Sequence, residues 1–284
     1  MVRIRLLTAA SISLLMAYSE TLIAHGRFIL PTHTVMSGDD EKALSLVSSI
    51  SNDIFHPDLP LADDGDGQVP KPLQGLFNSL QTYVIDPKGH SHPMQWRAHA
   101  RLSVADLVLK QAGSYRVVIQ QPATAMTTFK TAAGTPGRVF GGQPLPEDVT
   151  DVVRRQVSSR VETYISLNGQ DRKALTPTGK GLELVAEHHP NDLFVNEPLS
   201  MQLVFNGKPL QQTATVHVQR GGTRHRNQRE EMTIKTDARG RFELNFDQSG
   251  FYLLEAEVDF PGEGQGDFDM IHTSLYVTLE VFPE

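Results

Sequence analysis

The chain has 284 residues, a formal charge of −7, no cysteine, one tryptophan and 7% aromatic residues. The lack of thiols excludes disulfides, thiolate metal sites, thiol nucleophiles and iron–sulfur clusters, and the negative charge argues against nucleic acid as a partner. Any bound metal must be held by His, Asp, Glu, backbone or water, and imidazole-rich sets suit Zn, Cu(II) or Ni(II).

The first element reads as an export signal, residues 1–24. Arg3 and Arg5 precede an apolar run from Leu6 to Tyr18, followed by small and polar residues. The run is too short to span a bilayer. Two cuts fit: after Ala24, which leaves His25 as the first residue, or after Ser19, which leaves five residues ahead of His25. Either gives an exported, periplasmic protein of about 260 residues, room for two ordinary domains. No second apolar stretch reaches membrane length, so the chain is not expected to span the membrane.

Beyond the signal, short segments of strand character alternate with turn signals, which predicts an all-β protein of two immunoglobulin-like β-sandwiches, residues 25–170 and 178–284. In the first half the predicted strands are Phe28–Leu30, Ala43–Ile50, Thr82–Ile85, Met94–Ala98, Ala100–Val104, Tyr115–Gln120 and Val161–Leu167. In the second they are Leu182–Ala186, Leu199–Phe205, Thr215–Gln219, Met232–Thr236, Phe242–Phe246, Tyr252–Asp259 and Ser274–Phe282, with turns at Asn206-Gly207 and Asp237-Ala238-Arg239-Gly240. Ala62–Lys71 and Gln121–Gln143 read as long loops. One amphipathic helix is expected from about Pro146 to Arg160, because Val149, Val152, Val153 and Val157 fall on one helical stripe. Both halves carry Gln-x-Gly-x-Tyr before an apolar strand, at Gln111–Tyr115 and Gln248–Tyr252. Glycine lets the chain turn there, and the tyrosine is expected to bury its ring and aim its hydroxyl at the backbone.

Histidine carries the chemistry that remains. Of the 11 in the chain, His25, His56 and His272 are the leading metal ligands, with His188 and His189 next. His56-Pro57-Asp58 and His189-Pro190-Asn191 repeat a rigid polar turn in the two halves. A mature N-terminal His25 offers one metal its amine and its imidazole, and a second imidazole completes a T-shaped site that Cu favours. Such sites serve copper carriers and oxidative glycan-cleaving enzymes alike. The single Trp gives no aromatic platform for a glycan, so binding is expected rather than catalysis. His90 and His92 alternate correctly to chelate from one strand face, and a solvated hairpin tip explains them equally well. Asp63-Asp64-Gly65-Asp66-Gly67 lacks the spaced Glu of a calcium loop and reads as a solvated acidic turn. The basic run Arg220–Arg229 reads as an exposed hairpin tip. The sequence carries no serine-nucleophile elbow, phosphate loop, dinucleotide fingerprint or zinc-protease helix.

Several segments resemble a family of bacterial periplasmic proteins of unknown function once labelled as the M subunit of a nickel transport complex. They are Ala24–Pro31, Gly181–Val185, Phe205–Leu210, Thr236–Phe242 and Gly250–Glu255. The family usually has an acidic residue and Trp where this chain has Gly26-Arg27-Phe28-Ile29. The second half also resembles immunoglobulin-like and carboxypeptidase-regulatory-like sandwiches. The resemblance implies a divalent transition metal (Ni, Cu or Zn), with metal-uptake transporter or outer-membrane receptor components as partners. The competing expectation is a non-enzymatic adhesion or scaffold protein that binds another envelope protein.

Overall fold

The computed structural model describes residues 26–65, 67–69, 71, 74–262 and 267–284. His25 and the predicted signal lie outside them. In the first half the elements are β1 (Gly26–Pro31), β2 (Val35–Met36), β3 (Lys42–Ser51), α1 (Gln74–Phe77), β4 (Gln81–Ile85), β5 (Ser91–Pro93), β6 (Arg97–Ala98), β7 (Ser103–Leu109), β8 (Gly113–Lys130), β9 (Pro136–Phe140) and β10 (Thr150–Leu167). The second half adds β11 (Leu182–Ala186), β12 (Leu199–Phe205), β13 (Lys208–Pro209), β14 (Thr215–Arg220), β15 (Met232–Lys235), β16 (Arg241–Leu244), β17 (Gly250–Pro261) and β18 (Met270–Val281). The chain is all-β, as the alternation predicts.

A ten-stranded central sheet, in the order β15-β14-β17-β18-β10-β8-β4-β5 with β2 on β10 and β9 on β8, runs through both halves. Two four-stranded sheets pack on it, β1-β3-β7-β6 and β11-β12-β13 with β16. Alternation sorts the central side chains between them. Tyr115, Val117, Ile119, Val161 and Ile165 meet Phe28, Ile29, Leu46 and Leu107 in a first core. Val216, Leu254, Ala256, Leu275 and Val277 meet Leu184, Leu203 and Phe242 in a second. On β18, Leu275 and Val277 face the second core while Tyr276 faces the first. The two small sheets therefore cover opposite faces, at opposite ends, of one central sheet.

The parallel pairing of β10 with β18, Arg155↔Met270 through Thr163↔Thr278, joins the halves. It also corrects the helix expected over Pro146–Arg160, because Thr150–Leu167 is a strand hydrogen-bonded to β8 on one side and β18 on the other. The valines mimic helical spacing where the β8 ladder slips, between Thr150 and Val153 and again between Val157 and Ser159. Each slip breaks the alternation of side chains. The loop expected over Gln121–Gln143 is likewise mostly strand, the end of β8 turning back as β9. Among the described residues, helix is limited to α1 and 3-10 turns at Lys71 and Thr223–His225.

The paired tyrosines behave as the motif predicts. Tyr115 donates its hydroxyl to Gln111 O at 2.8 Å and accepts from Gln111 N at 2.9 Å. Tyr252 donates to Gln248 O at 2.7 Å. The preceding Gly113 and Gly250 sit at φ 123° and 133°, a region that L side chains rarely adopt.

Candidate functional site

The predicted ligands separate in the fold. His189 is buried: Nδ1 accepts from Asn191 N at 3.1 Å, so Nε2 carries the proton and faces Ser114 Oγ at 2.8 Å and Asp171 O at 3.2 Å. Burial pushes its pKa down. With both nitrogens engaged it is a structural residue, which corrects its assignment as a ligand. Asn191 completes that turn by donating to Thr34 O and Ser166 Oγ. His188 stands exposed beside it. His56 lies half-buried in the loop after β3, its amide donating to Asp53 O. The nearby Asp58 carboxylate is held low, first by the Asn52 amide and then by Ser51, so it serves the loop. His272, on β18, pairs with Asp259 Oδ1 at 2.9 Å, and that hydrogen bond raises its pKa. Among the described residues, no three His, Asp or Glu side chains stand ready to hold one metal ion.

The acidic turn at residues 63–67 is structural in its described part. Asp63 accepts from the amides of Gly65 and Ala98, and Asp64 from that of Trp96; Asp66 lies outside the described residues.

A different cluster emerges on the central sheet. On β17, Tyr252, Leu254, Ala256 and Val258 fill the second core, so alternation sends Leu253, Glu255, Glu257 and Asp259 to the opposite face. The cross-strand register lines up His217 of β14, Glu255 of β17 and Tyr276 of β18 in one row. Thr233 of β15 extends it outward, and Val161 of β10 leads it into the first core. His217 Nδ1 meets Glu231 Oε1 at 2.6 Å. The row grades from an apolar core into a half-exposed imidazole and its carboxylate.

Glu255 is the unusual member. Burial first, then the negative charges of Glu257 and Glu231, push its carboxyl up to about 7, against a hydrogen bond from Tyr276 and the charge of Arg27. Arg27, from β1, donates to Gln121 and Ser159 and lies 6.0 Å from the Tyr276 ring centroid. The local charge is acidic in excess, an arrangement that a cation stabilises. His217 Nδ1 is taken by a carboxylate, which leaves Nε2 for a ligand, the arrangement found in carboxylate-oriented metal-binding imidazoles.

The start of the described chain borders this strip. Gly26 pairs with Ser51, and a side chain on it would stand 3.5 Å from Leu253 Cδ2 and 3.5 Å from Ile54 Cγ2. Leu253 is two residues before Glu255 on the same face. His272 and Asp259 occupy the far end, four residues further along β17 and hence ~13 Å away, too far to share an ion with His217.

His217 sits inside the alternating strand Thr215–Arg220, where sequence alone gives no sign of a ligand. The signal that identifies the strip was nevertheless present: on Phe251–Asp259 the face opposite Tyr252 and Leu254 carries three carboxylates.

The profile of the family described as "Domain of unknown function (DUF4198)" matches residues 22–259. The chain belongs to this family. The DUF4198 match spans β1, both tyrosine motifs and the β14–β17 face as far as Asp259. No curated protein matches the sequence. Among solved structures, the two tandem V-type regions of a v-region-containing chitin-binding protein, VCBP3, overlap at 10% identity and TM-score 0.22, over 88% of this chain and 98% of that one. A putative membrane-anchored protein from Corynebacterium diphtheriae overlaps at 10% identity and TM-score 0.21, over 89% of this chain and 59% of that one. Trypsin-activated alpha-2-macroglobulin from Escherichia coli overlaps at 9% identity and TM-score 0.19, over 90% of this chain and 24% of that one. Overlaps this weak carry no argument about function. No helix among the described residues is long and apolar enough to cross a membrane.

Proposed function

We propose that this DUF4198 protein is exported to the periplasm and binds a divalent transition metal (Ni, Cu or Zn) for an uptake system, the role implied by its resemblance to the nickel-complex M subunit. The metal sits on the strip at the foot of β1. His25 supplies its amine and imidazole, His217 supplies Nε2, and Glu255 supplies a carboxylate. The observation that carries this reading is the position of Gly26, the neighbour of His25, against Leu253 on the face that holds Glu255, Glu257 and His217. An imidazole and carboxylate donor set fits Zn, Cu(II) or Ni(II). Metal-uptake transporter or outer-membrane receptor components are the expected recipients.

The test is a metal titration on mature protein whose N-terminus is read by mass spectrometry. Cu(II) affinity is expected to weaken at least tenfold when one extra residue precedes His25, and similarly for His217→Ala. It is also expected to fall between pH 7.5 and pH 5, because protons compete with the metal for its ligands, among them the Glu255 carboxyl, which is pushed up to about 7. A native terminus at Glu20, or a copper affinity indifferent to both changes, overturns the proposal and leaves a scaffold protein that binds another envelope protein.

A further inference from the structure

At the opposite edge of the central sheet from the strip, β4 and β5 form a hairpin closed by Asp86-Pro87-Lys88-Gly89. Its backbone is fixed by Gly89 N to Asp86 O at 2.8 Å and Asp86 N to His90 O at 2.9 Å. The Asp86 side chain is only 10% exposed. Its Oδ1 accepts from the amides of Lys88 and His90 at 2.9 and 2.8 Å. That leaves Oδ2, and two imidazoles turn to it: His92 Nε2 at 2.9 Å and His90 Nδ1 at 3.7 Å. Both rings are otherwise in solvent, 55% and 69% exposed. Burial works to raise the Asp86 pKa, but the hydrogen bonds from His92 and from the His90 and Lys88 amides outweigh it and keep the carboxylate ionised.

Two imidazoles converging on one oxygen of an otherwise saturated carboxylate exceed what the hairpin needs, since the two backbone caps already fold the turn. Ligand atoms about 2.0–2.1 Å from a tetrahedral ion lie about 3.3 Å from one another. The separations of 2.9 and 3.7 Å bracket that value. The three donors are not at ligand geometry as they stand; a small opening at His92 and a small closing at His90, by rotation of exposed rings, sets both distances. We propose that this tip is a second site for a divalent transition ion, held by Asp86 Oδ2, His90 Nδ1 and His92 Nε2 with water in the remaining position. The ion replaces the proton now shared between His92 and Asp86. This proposal does not depend on the strip, which lies at the other edge of the sheet.

The experiment uses full mature protein carrying His25→Ala and His217→Ala, which silences the strip, titrated with Zn(II) and Cu(II) by calorimetry at pH 7.5. One equivalent is expected to remain. Adding His92→Ala or His90→Ala is expected to weaken it at least tenfold, and both replacements sit on exposed rings that the fold does not need. In NMR spectra, Cu(II) is expected to broaden His90 and His92 before any other histidine. No remaining equivalent, or one unmoved by both replacements, overturns the tip site and leaves it a proton-binding pair. Should the strip fail and the tip hold, His25→Ala alone leaves the stoichiometry unchanged, so the two failures are distinguishable.

Discussion

Two faces of the central sheet lie beyond the small sheets, and they treat charge in opposite ways. On the β8–β10 face, away from the first core, Arg116, Arg160, Glu162 and Glu183 are all buried. Arg160 Nε meets Glu162 at 2.6 Å, and both arginines reach Glu183 at 3.6 Å. Tyr164 donates to Glu162, and Glu183 also accepts from the amides of Thr178 and Gly179 at 2.8 Å. Two cations face two carboxylates, and the charge closes. Burial works to raise the Glu162 pKa, but Arg160 and Arg116 overcome it and hold it low. On the β14–β17 face, burial drives the Glu255 carboxyl up to about 7, Glu257 and Glu231 add to the rise, and Arg27 opposes it only in part. Titratable groups in the first face are paired for the fold; in the second they are left short of a cation. Desolvated charge marks function only where it is unbalanced.

The harshest test of that contrast is Glu162→Gln, which leaves two buried guanidinium groups with Glu183 as the one carboxylate between them. A loss of about 3–5 kcal/mol in urea unfolding is expected, and a loss below about 1 kcal/mol would mean that the balanced set is not needed. Glu255→Gln should go the other way. The folded pKa of Glu255 lies above its unfolded value of 4.5, so its contribution is present below pH 4.5 and is lost as pH rises through about 7. Metal-free Glu255→Gln is therefore expected to be more stable than the parent by on the order of 2 kcal/mol at pH 8 and equal to it at pH 4. Equal stability at both pH values would show Glu255 to be compensated after all. Tyr164→Phe removes a hydrogen bond to a buried carboxylate and is expected to cost about 1.5 kcal/mol, measured by thermal melts. The smallest effect belongs to the half-exposed His272–Asp259 pair, whose stabilisation lies above the lowered Asp259 pKa and fades as pH rises through the raised pKa of His272. Asp259→Asn is expected to lower the His272 NMR titration midpoint while costing less than about 1 kcal/mol at pH 5.

The sequence was legible wherever the partners are local. The turn at Asn206-Gly207 and both tyrosine motifs are set within a few residues, and the bounds of β11 and β12 match the predicted strands. The helix expectation failed on β10 because its ladder slips interrupt the period of two that identifies strands. The strip was missed for a different reason: Arg27, His217, Glu231 and Glu255 are gathered by register between distant strands, which no local pattern reports. His189 looked like a ligand because polar turns and metal sites share a vocabulary, and only its two filled nitrogens distinguish them.

The parallel seam between β10 and β18 sets an order of assembly. β18 comes after every other strand among the described residues, yet it lies between β17 and β10 near the middle of the central sheet and contributes Tyr276 to one core and Leu275 and Val277 to the other. A chain threading out amino end first exposes the Arg155–Thr163 edge of β10 until β18 arrives. The first sandwich must wait, with that edge unpaired, for a strand more than 100 positions later, a long-range closure that slows folding and invites capture by chaperones or by a second copy. Truncation before Met270 would therefore undo both halves at once.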